Sequence, residues 1–222
     1  MPNIQIAIDG PGGSGKSTIA KLLANELGFV YIDTGAMYRA CALYCLDNNI
    51  DIQNSHAVES VLPNINIEIK HVNGQMQIFL NGADISHRIR SPNISNATSV
   101  ISTYSAVRDM LVDQQKRIAE STNIVMDGRD IGTVVLPWAT HKIFLTASVA
   151  ARVQRRSAEL LEKNGQAPST SDIETEIMQR DHRDITREIS PLKQANDAVL
   201  IDTSNMTIEQ VIKKITAMVK KV

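Results

Sequence analysis

The sequence predicts an α/β fold built on a five-stranded parallel sheet, and three observations predict it. Short apolar runs at 4–8, 29–32, 124–126, 142–145 and 198–201 are separated by stretches of helical character, the pattern of strands buried on both faces and joined by helices. The first of these runs leads through a Gly-rich turn at 10–15 into a helix. A single segment, between residues 65 and 81, breaks the rhythm with strict alternation and reads as antiparallel.

Taken in order, Ile4, Ile6 and Ile8 open the first strand, and Ile19, Leu22, Leu23 and Leu27 mark a helix that Gly28 closes, glycine being the common residue for a left-handed helix end. Residues 35–47 and 105–119 carry helical periodicity. Ile65, Ile67 and Ile69, then Met76, Ile78 and Leu80, flank Asn73-Gly74, the strongest short hairpin signal. A second Asn-Gly at 81–82 adds a further turn, so an antiparallel insertion over about 62–90, packed on the edge of the parallel core, is expected. Lys-Asn-Gly-Gln-Ala-Pro-Ser-Thr-Ser-Asp at 163–172 has the composition of a mobile loop between two helices, suited to a lid over about 152–185. Finally, Ile208, Val211, Ile212, Ile215 and Val219 share one helical stripe behind a Thr207/Gln210 capping box. Residues 1–222 read as one domain carrying that insertion and lid.

Composition narrows the function classes. With 222 residues, 43% hydrophobic and 21% charged, the chain can bury a sizeable core. Its net charge of -1 and pI near 6.5 supply no global basic field for nucleic acid or an anionic membrane, so any anion site must be local. The N-terminus lacks a basic and apolar leader, and no apolar run approaches the ~18 residues of a membrane span; a cytoplasmic monomer is expected. Cys41 and Cys45, four apart on a helix, read as buried free thiols rather than a disulfide or zinc framework.

The chemistry enters at Gly10-Pro11-Gly12-Gly13-Ser14-Gly15-Lys16-Ser17, followed by Thr18, which satisfies the P-loop pattern between a strand and a helix. Its glycines let backbone N–H groups curl around phosphates, the helix end favours negative charge, Lys16 reaches the β and γ oxygens, and Ser17 offers a hydroxyl to Mg²⁺. ATP and Mg²⁺ are therefore expected. A P-loop alone leaves a regulatory GTPase or ATPase, a mechanical ATPase and a small-molecule kinase open. The absence of an Asn-Lys-x-Asp element counts against the GTPase. Strand 124–126 ends in Asp127, the place of a metal-facing carboxylate, and Gly128-Arg129-Asp130 follow at once, which reads either as anion recognition at the sheet's binding crevice or as a loop salt-bridge cluster. Six of the twelve arginines (Arg152, Arg155, Arg156, Arg180, Arg183, Arg187) lie in 152–187, where Lys163 is the only lysine, and arginine's rigid fork suits bidentate phosphate contact. On a helical wheel Ile173 and Ile177 define a stripe continuing through Arg180, Asp184 and Arg187, with Arg183 beside it. Either those charges face inward toward a bound anion, or Arg180 and Asp184 form an ordinary i,i+4 pair.

Three longer motifs stand in register behind the P-loop: Asp33-Thr34-Gly35-Ala36-Met37-Tyr38-Arg39, Asp127-Gly128-Arg129-Asp130-Ile131-Gly132-Thr133-Val134-Val135 and Arg187-Glu188-Ile189-Ser190-Pro191-Leu192. In these the chain closely resembles the bacterial cytidylate kinases, from about Ile4 to the C-terminus. The resemblance implies a P-loop kinase core, an enlarged nucleoside-monophosphate-binding region matching the insertion, a lid, and transfer of the ATP γ-phosphoryl group to CMP or dCMP. It also implies roles by position. Arg39, Arg129 and Arg187 match arginines around the acceptor phosphate, and Thr34 matches a hydroxyl residue near that nucleotide. Ser99, Arg108 and Asp130 match the cytosine-reading set, while Arg180 and Asp184 match the pair near the sugar. Asn196-Asp197 departs from a common acidic pair outside these motifs. Lys16, Arg156 and Arg183 are taken as the cations at the transferring group. A kinase for UMP or for a non-nucleotide acid such as shikimate would share loop and lid, but would not need Asp130 to read a cytosine edge.

Overall fold

The computed structural model describes residues 3–72 and 74–219. The chain opens with β1 (Gln5–Asp9), α1 (Lys16–Leu27), β2 (Val30–Asp33), α2 (Thr34–Asp47) and α3 (Ser55–Val61). Next come β3 (Ile67–Val72), β4 (Gln75–Leu80), β5 (Ala83–Asp84), α4 (Pro92–Ile101) and α5 (Ser105–Ser121). It closes with β6 (Ile124–Gly128), β7 (His141–Thr146), α6 (Val149–Asn164), α7 (Thr170–Thr186), β8 (Val199–Asp202) and α8 (Ile208–Val219). The five predicted runs form one parallel sheet in the order β2-β6-β1-β7-β8.

Strand alternation sorts the core into two layers. Ile6, Ile8 and Val125 pack with Ile19, Leu23, Val211 and Ile215 under α1 and α8. Ala7, Ile124 and Met126 point the other way, into a larger cluster with Met37 and Cys41 of α2 and Val107 and Leu111 of α5. Cys41 and Cys45 are buried free thiols there, and burial pushes the Cys41 thiol well above the usual range. The C-terminal end of α1 and the start of α8 obey their local signals. At Gly28, Phe29 N donates to Ala24 O at 2.9 Å. At the start of α8, Thr207 N donates to Gln210 Oε1 at 2.9 Å and Gln210 N to Thr207 Oγ1 at 3.3 Å, a reciprocal capping box.

The insertion is a separate three-stranded antiparallel sheet, β3-β4-β5, rather than an extension of the parallel one. Asn73 lies outside the described residues; Gly74 takes a φ of 72°. Asn81 and Gly82 both have positive φ, as a tight primed turn requires. Ile67, Ile78 and Leu80 join the α2 side of the core, and His71 Nε2 lies 2.8 Å from Tyr31 O at the exposed edge of β2. The small sheet thus shields the parallel sheet's edge without pairing as a strand.

Three details correct the sequence reading. The loop expected over 163–172 is shorter, because α6 runs to Asn164 and Ser169 caps an α7 that begins at Thr170. Helices α3 and α4 were not marked out in the sequence, although Ile94, Ala97 and Ile101 recur at helical spacing and are buried on α4. Residues Ile131–Val135 form a π-type turn, with Val135 N donating to Asp130 O at 3.2 Å and Leu136 N to Ile131 O at 2.6 Å. Such wide turns occur mostly at functional sites. Among the described residues, no helix is long and apolar enough to cross a membrane.

Candidate active site

Parallel register brings the chemistry together. Ile8 and Asp33 both pair with Asp127, and Asp9 with Gly128, so the P-loop, the start of α2 and the 128–130 segment leave the sheet side by side at its carboxyl edge. They border a cleft of about 1000 Å³, the upper end of the range for small-ligand sites.

On one wall, the P-loop is shaped by its backbone. Gly10 has a φ of 147°, and a Cβ there would meet Leu145 O at 1.9 Å, so no side chain is admitted. Gly15 caps α1 without a side-chain bond, which leaves the first-turn N–H groups of the helix for a ligand. Gly12, Gly13, Ser14, Gly15, Lys16, Ser17 and Thr18 line the cleft, whereas Gly10 and Pro11 lie behind it. Lys16 is buried and donates to Pro11 O at 2.8 Å, folded back on the loop. Burial, reinforced by Arg129, pulls its ammonium well below the usual lysine range. From α6, Arg152 donates to Gly12 O at 3.1 Å and pairs with Asp181, and Arg155 donates to Thr203 Oγ1 at 3.0 Å. These two arginines, unassigned from the sequence, brace the loop.

Asp127 accepts from Ser17 Oγ at 2.8 Å and from Tyr31 Oη at 2.9 Å. Burial pushes its carboxyl up to about 6, with Asp33 adding and Lys16 opposing. A hydroxyl beside a buried carboxylate is the oxygen donor set Mg²⁺ takes, the rest coming from phosphate and water. Among the described residues, no cluster of three His, Cys, Asp or Glu could hold a metal by itself. Thr34 Oγ1 donates to Asp127 O at 2.7 Å, tying the start of α2 to β6.

The opposite wall carries arginines. Arg39 pairs with Asp33 at 2.7 Å, and Arg129 Nε with Asp184 Oδ2 at 2.7 Å. Asp184 is therefore bonded to Arg129, 55 residues away in sequence, rather than to Arg180 along α7. The inward-facing reading of that stripe holds for Ile173 and Asp184, which are buried, and for Arg180, which is half-buried. A side chain at Gly12 would come within 3.6 Å of Arg129 Nη2 and 3.8 Å of Arg180 Cδ, so both arginines overhang the P-loop. Burial, then Arg129, pulls Arg180 down to about 10. Arg39 Nε and Arg187 Nη2 are buried without a hydrogen-bond acceptor, a state an anion would relieve.

Deeper in, Arg108 pairs with Asp130, its guanidinium centre 5.7 Å from the Tyr38 ring centroid, and Arg187 Nη2 lies 3.6 Å from Asp130 Oδ1. Both Arg108 and Asp130 are buried, and burial outweighs the arginines in pushing Asp130 up. Arg129, next to Asp130 in the chain, turns instead to Asp184. Ser99, on α4, lines the cleft and accepts from Arg183 Nε at 3.0 Å. Arg156 lines the cleft and pairs with Glu159 at 3.0 Å. Arg183 itself is exposed and stands outside the lining, apart from the residues over the P-loop.

Sequence reasoning missed several residues. Tyr31 looked like a strand aromatic and Leu22, Ile208 and Val211 looked like helix core, whereas all four, with Met206, line the cleft. Asp9 carried a signal that went unused, a carboxylate closing an apolar strand.

Fold and site together define a P-loop phosphotransferase with a second, arginine-rich anion site facing the loop. The family model described as cytidylate kinase matches residues 6–221. A cytidylate kinase from Lactobacillus johnsonii is 47% identical over 218 residues, covering 98% of this chain and 94% of that protein. One from Caldicellulosiruptor saccharolyticus is 48% identical over 222 residues, covering 100% and 98%. The chain belongs to the cytidylate kinase family. Among solved structures, a shikimate kinase from Bacteroides thetaiotaomicron aligns over 98% of both chains with a TM-score of 0.51 and 13% identity, a likeness of fold alone.

Proposed function

We propose that the protein transfers the γ-phosphoryl group of ATP to the 5′-phosphate of CMP, and of dCMP, giving CDP and dCDP. The single observation that carries the reading is the pairing, in one cleft, of a P-loop with unsatisfied arginine donors on Arg39 and Arg187 and with Arg129 and Arg180 directly over Gly12. Family membership selects the acceptor base.

The P-loop N–H groups and Lys16 would hold the donor phosphates, with Leu22, Met206, Ile208 and Val211 offering an apolar end of the cleft to the donor's nucleoside. Arg39, Arg129 and Arg187 would take the acceptor phosphate and Thr34 would order the backbone beside it. Ser99, Arg108 and Asp130 would read the base, and Arg180 and Asp184 would lie near the sugar. Ser17 and Asp127 suit Mg²⁺, which would neutralise phosphate charge. The attacking phosphate has a second pKa of about 6, so at neutral pH it is largely ionised and needs no general base. What the chain supplies is in-line positioning, charge neutralisation and exclusion of water. We read β3 to β5 as the acceptor-binding insertion and α6 with α7 as the lid of one kinase domain. Arg156 would act at the transferring group from its present place. Arg183 would join it only after leaving Ser99. The acceptors being free nucleotides, we further propose a cytoplasmic monomer.

A coupled ADP-release assay with CMP, dCMP, UMP, AMP and shikimate tests the assignment. CMP and dCMP should drive release well above the ATP-only rate. Equal rates with all acceptors, or none above background, would remove it.

A further inference from the structure

Asp9 closes β1 and directly precedes the P-loop, yet it does not line the cleft. It is 4% exposed, and its side chain turns sideways to β6 and the wide turn that follows. Oδ1 accepts from Ile131 N at 2.8 Å and Oδ2 from Gly132 N at 2.7 Å. Those N–H groups open the turn and have no partner within it. Gly132 leaves room for the carboxylate: a Cβ there would stand 3.4 Å from Asp9 Oδ2 and 3.2 Å from Lys142 Cδ. The residue immediately before this pinned pair is Asp130, the carboxylate shared by Arg108 and Arg187.

We infer that Asp9 is a positioning residue for recognition of the acceptor base, fixing through the Ile131 and Gly132 amides the backbone that aims Asp130. The inference rests on the assignment of Asp130 to the base. Its physical basis is the number of acceptors. A carboxylate satisfies two N–H groups at once with charge-assisted bonds. An asparagine of the same shape satisfies one and turns an NH₂ toward the other. The turn must then shift, and Asp130 with it, while the P-loop keeps the packing of Gly10 against Leu145. Burial pushes the Asp9 carboxyl up to about 6 and the two amides pull against it, so the group is held in place at a desolvation cost that a mere surface cap would not carry.

Asp9→Asn is compared with the wild type by calorimetric titration of CMP and of ATP, and by kcat/KM for CMP and UMP. The expected result is roughly tenfold weaker CMP binding and a CMP-over-UMP preference reduced about tenfold, with ATP binding held within about twofold. In an Asp130→Asn background the same change should leave the preference where Asp130→Asn puts it, because coupled residues are not additive. A lowered melting temperature with the CMP preference intact would make Asp9 a purely structural cap and overturn the inference. So would an Asp9 effect that persists undiminished without the Asp130 carboxylate. If Asp9→Asn does not fold, Gly132→Ala crowds the same carboxylate from the other side, and an unchanged preference in that variant overturns the inference equally. A wild type without CMP preference would instead sink the functional assignment itself.

Discussion

The two walls of the cleft are built on different principles. The P-loop wall is backbone, shaped by consecutive residues from Gly10 to Thr18, and Gly10 and Gly15 hold conformations that side chains rarely adopt. The facing wall is side chains drawn from α2, α4, α5, the segment after β6, α7 and its C-terminal end. There each cation except Arg180 is stabilised in advance by a carboxylate: Arg39 by Asp33, Arg129 by Asp184, Arg108 and Arg187 by Asp130. The difference teaches how the two halves of one anion-binding cleft remain stable without an anion. The loop's N–H groups are neutral dipoles, which cost little when open to water. Clustered guanidiniums would repel one another, and paired acids offset that. Among the described residues Arg180 makes no ion pair with a carboxylate, and burial and Arg129 pull it down to about 10, while burial also lowers Arg187 despite Asp130.

The sharpest way to break this comparison is at Lys16, the charged member of the backbone wall. It is buried, Arg129 and Arg180 oppose its charge while Asp127 and Asp184 favour it, burial outweighs both, and among the described residues it donates to Pro11 O. Lys16→Met should therefore fold as stably as the wild type or better, while turnover falls by roughly three orders of magnitude because charge at the transferring group is lost. Near-normal turnover in a steady-state assay would refute a role for Lys16 in the reaction. A fold that collapses would show the lysine to be structural.

On the side-chain wall the same logic applies to Asp130, with a smaller effect and a cost in stability. Asp130→Asn should lose about 10- to 150-fold in kcat/KM for CMP while UMP loses much less, since a charged hydrogen bond contributes about 1.5 to 3 kcal/mol. It should also melt earlier, as Arg108 and Arg187 lose their shared countercharge in a buried setting. Equal losses for both acceptors at saturating ATP would remove Asp130 from the base site.

How much of this was legible in the sequence follows the same division. The P-loop was readable from spacing, because its function is local and every glycine in it answers to a backbone constraint. The parallel sheet was readable too, since strands buried on both faces have unbroken apolar runs such as Ile124-Val125-Met126. The arginine wall was visible as a compositional bias, as Arg129 and Asp130 behind a strand end, as the stripe through Arg180, Asp184 and Arg187, and through resemblance; no periodicity states that Asp184 pairs with Arg129 across 55 residues rather than with Arg180 next to it on the helix. The shortened lid loop was misread because Ser169, taken as loop composition, is the helix cap itself. Asp9 was overlooked because its partners are backbone amides, so that only the carboxylate closing an apolar strand marked it.

Arg183 tests whether the lid stays as the geometry has it. If its bond to Ser99 breaks during turnover and the guanidinium moves to the transferring group, Arg183→Ala should lower kcat by about tenfold and leave the KM for CMP within about twofold. A change confined to KM would make Arg183 a support for Ser99 and leave Arg156 as the lid cation at the reacting phosphate.

The smallest effect concerns stability rather than rate, and asks whether the buried Asp127 is costly when no ligand is bound. Its carboxyl is raised from 3.8 to about 6, mainly by burial. A raised carboxyl means that the folded state holds the proton more tightly than the unfolded chain does. Below about pH 3 both states are protonated and the group contributes no difference. As the pH climbs through the interval between the two values, the unfolded chain ionises first and the fold loses stability, to a total of about 3 kcal/mol once the folded group has ionised. Asp127→Asn removes that loss. It also disturbs the bonds from Ser17 and Tyr31, but this second effect does not depend on pH. In denaturant unfolding of the ligand-free protein, the stability of the variant relative to the wild type should therefore rise by roughly 1 to 3 kcal/mol between about pH 4.5 and pH 7.5, whatever its sign at either end. Adding Mg²⁺ and ATP should reverse the trend, because the ionised carboxylate then has a cation to meet. A difference that stays flat with pH would show that Asp127 ionises as an ordinary surface carboxylate does, and adds no buried charge beside the loop for a ligand to relieve.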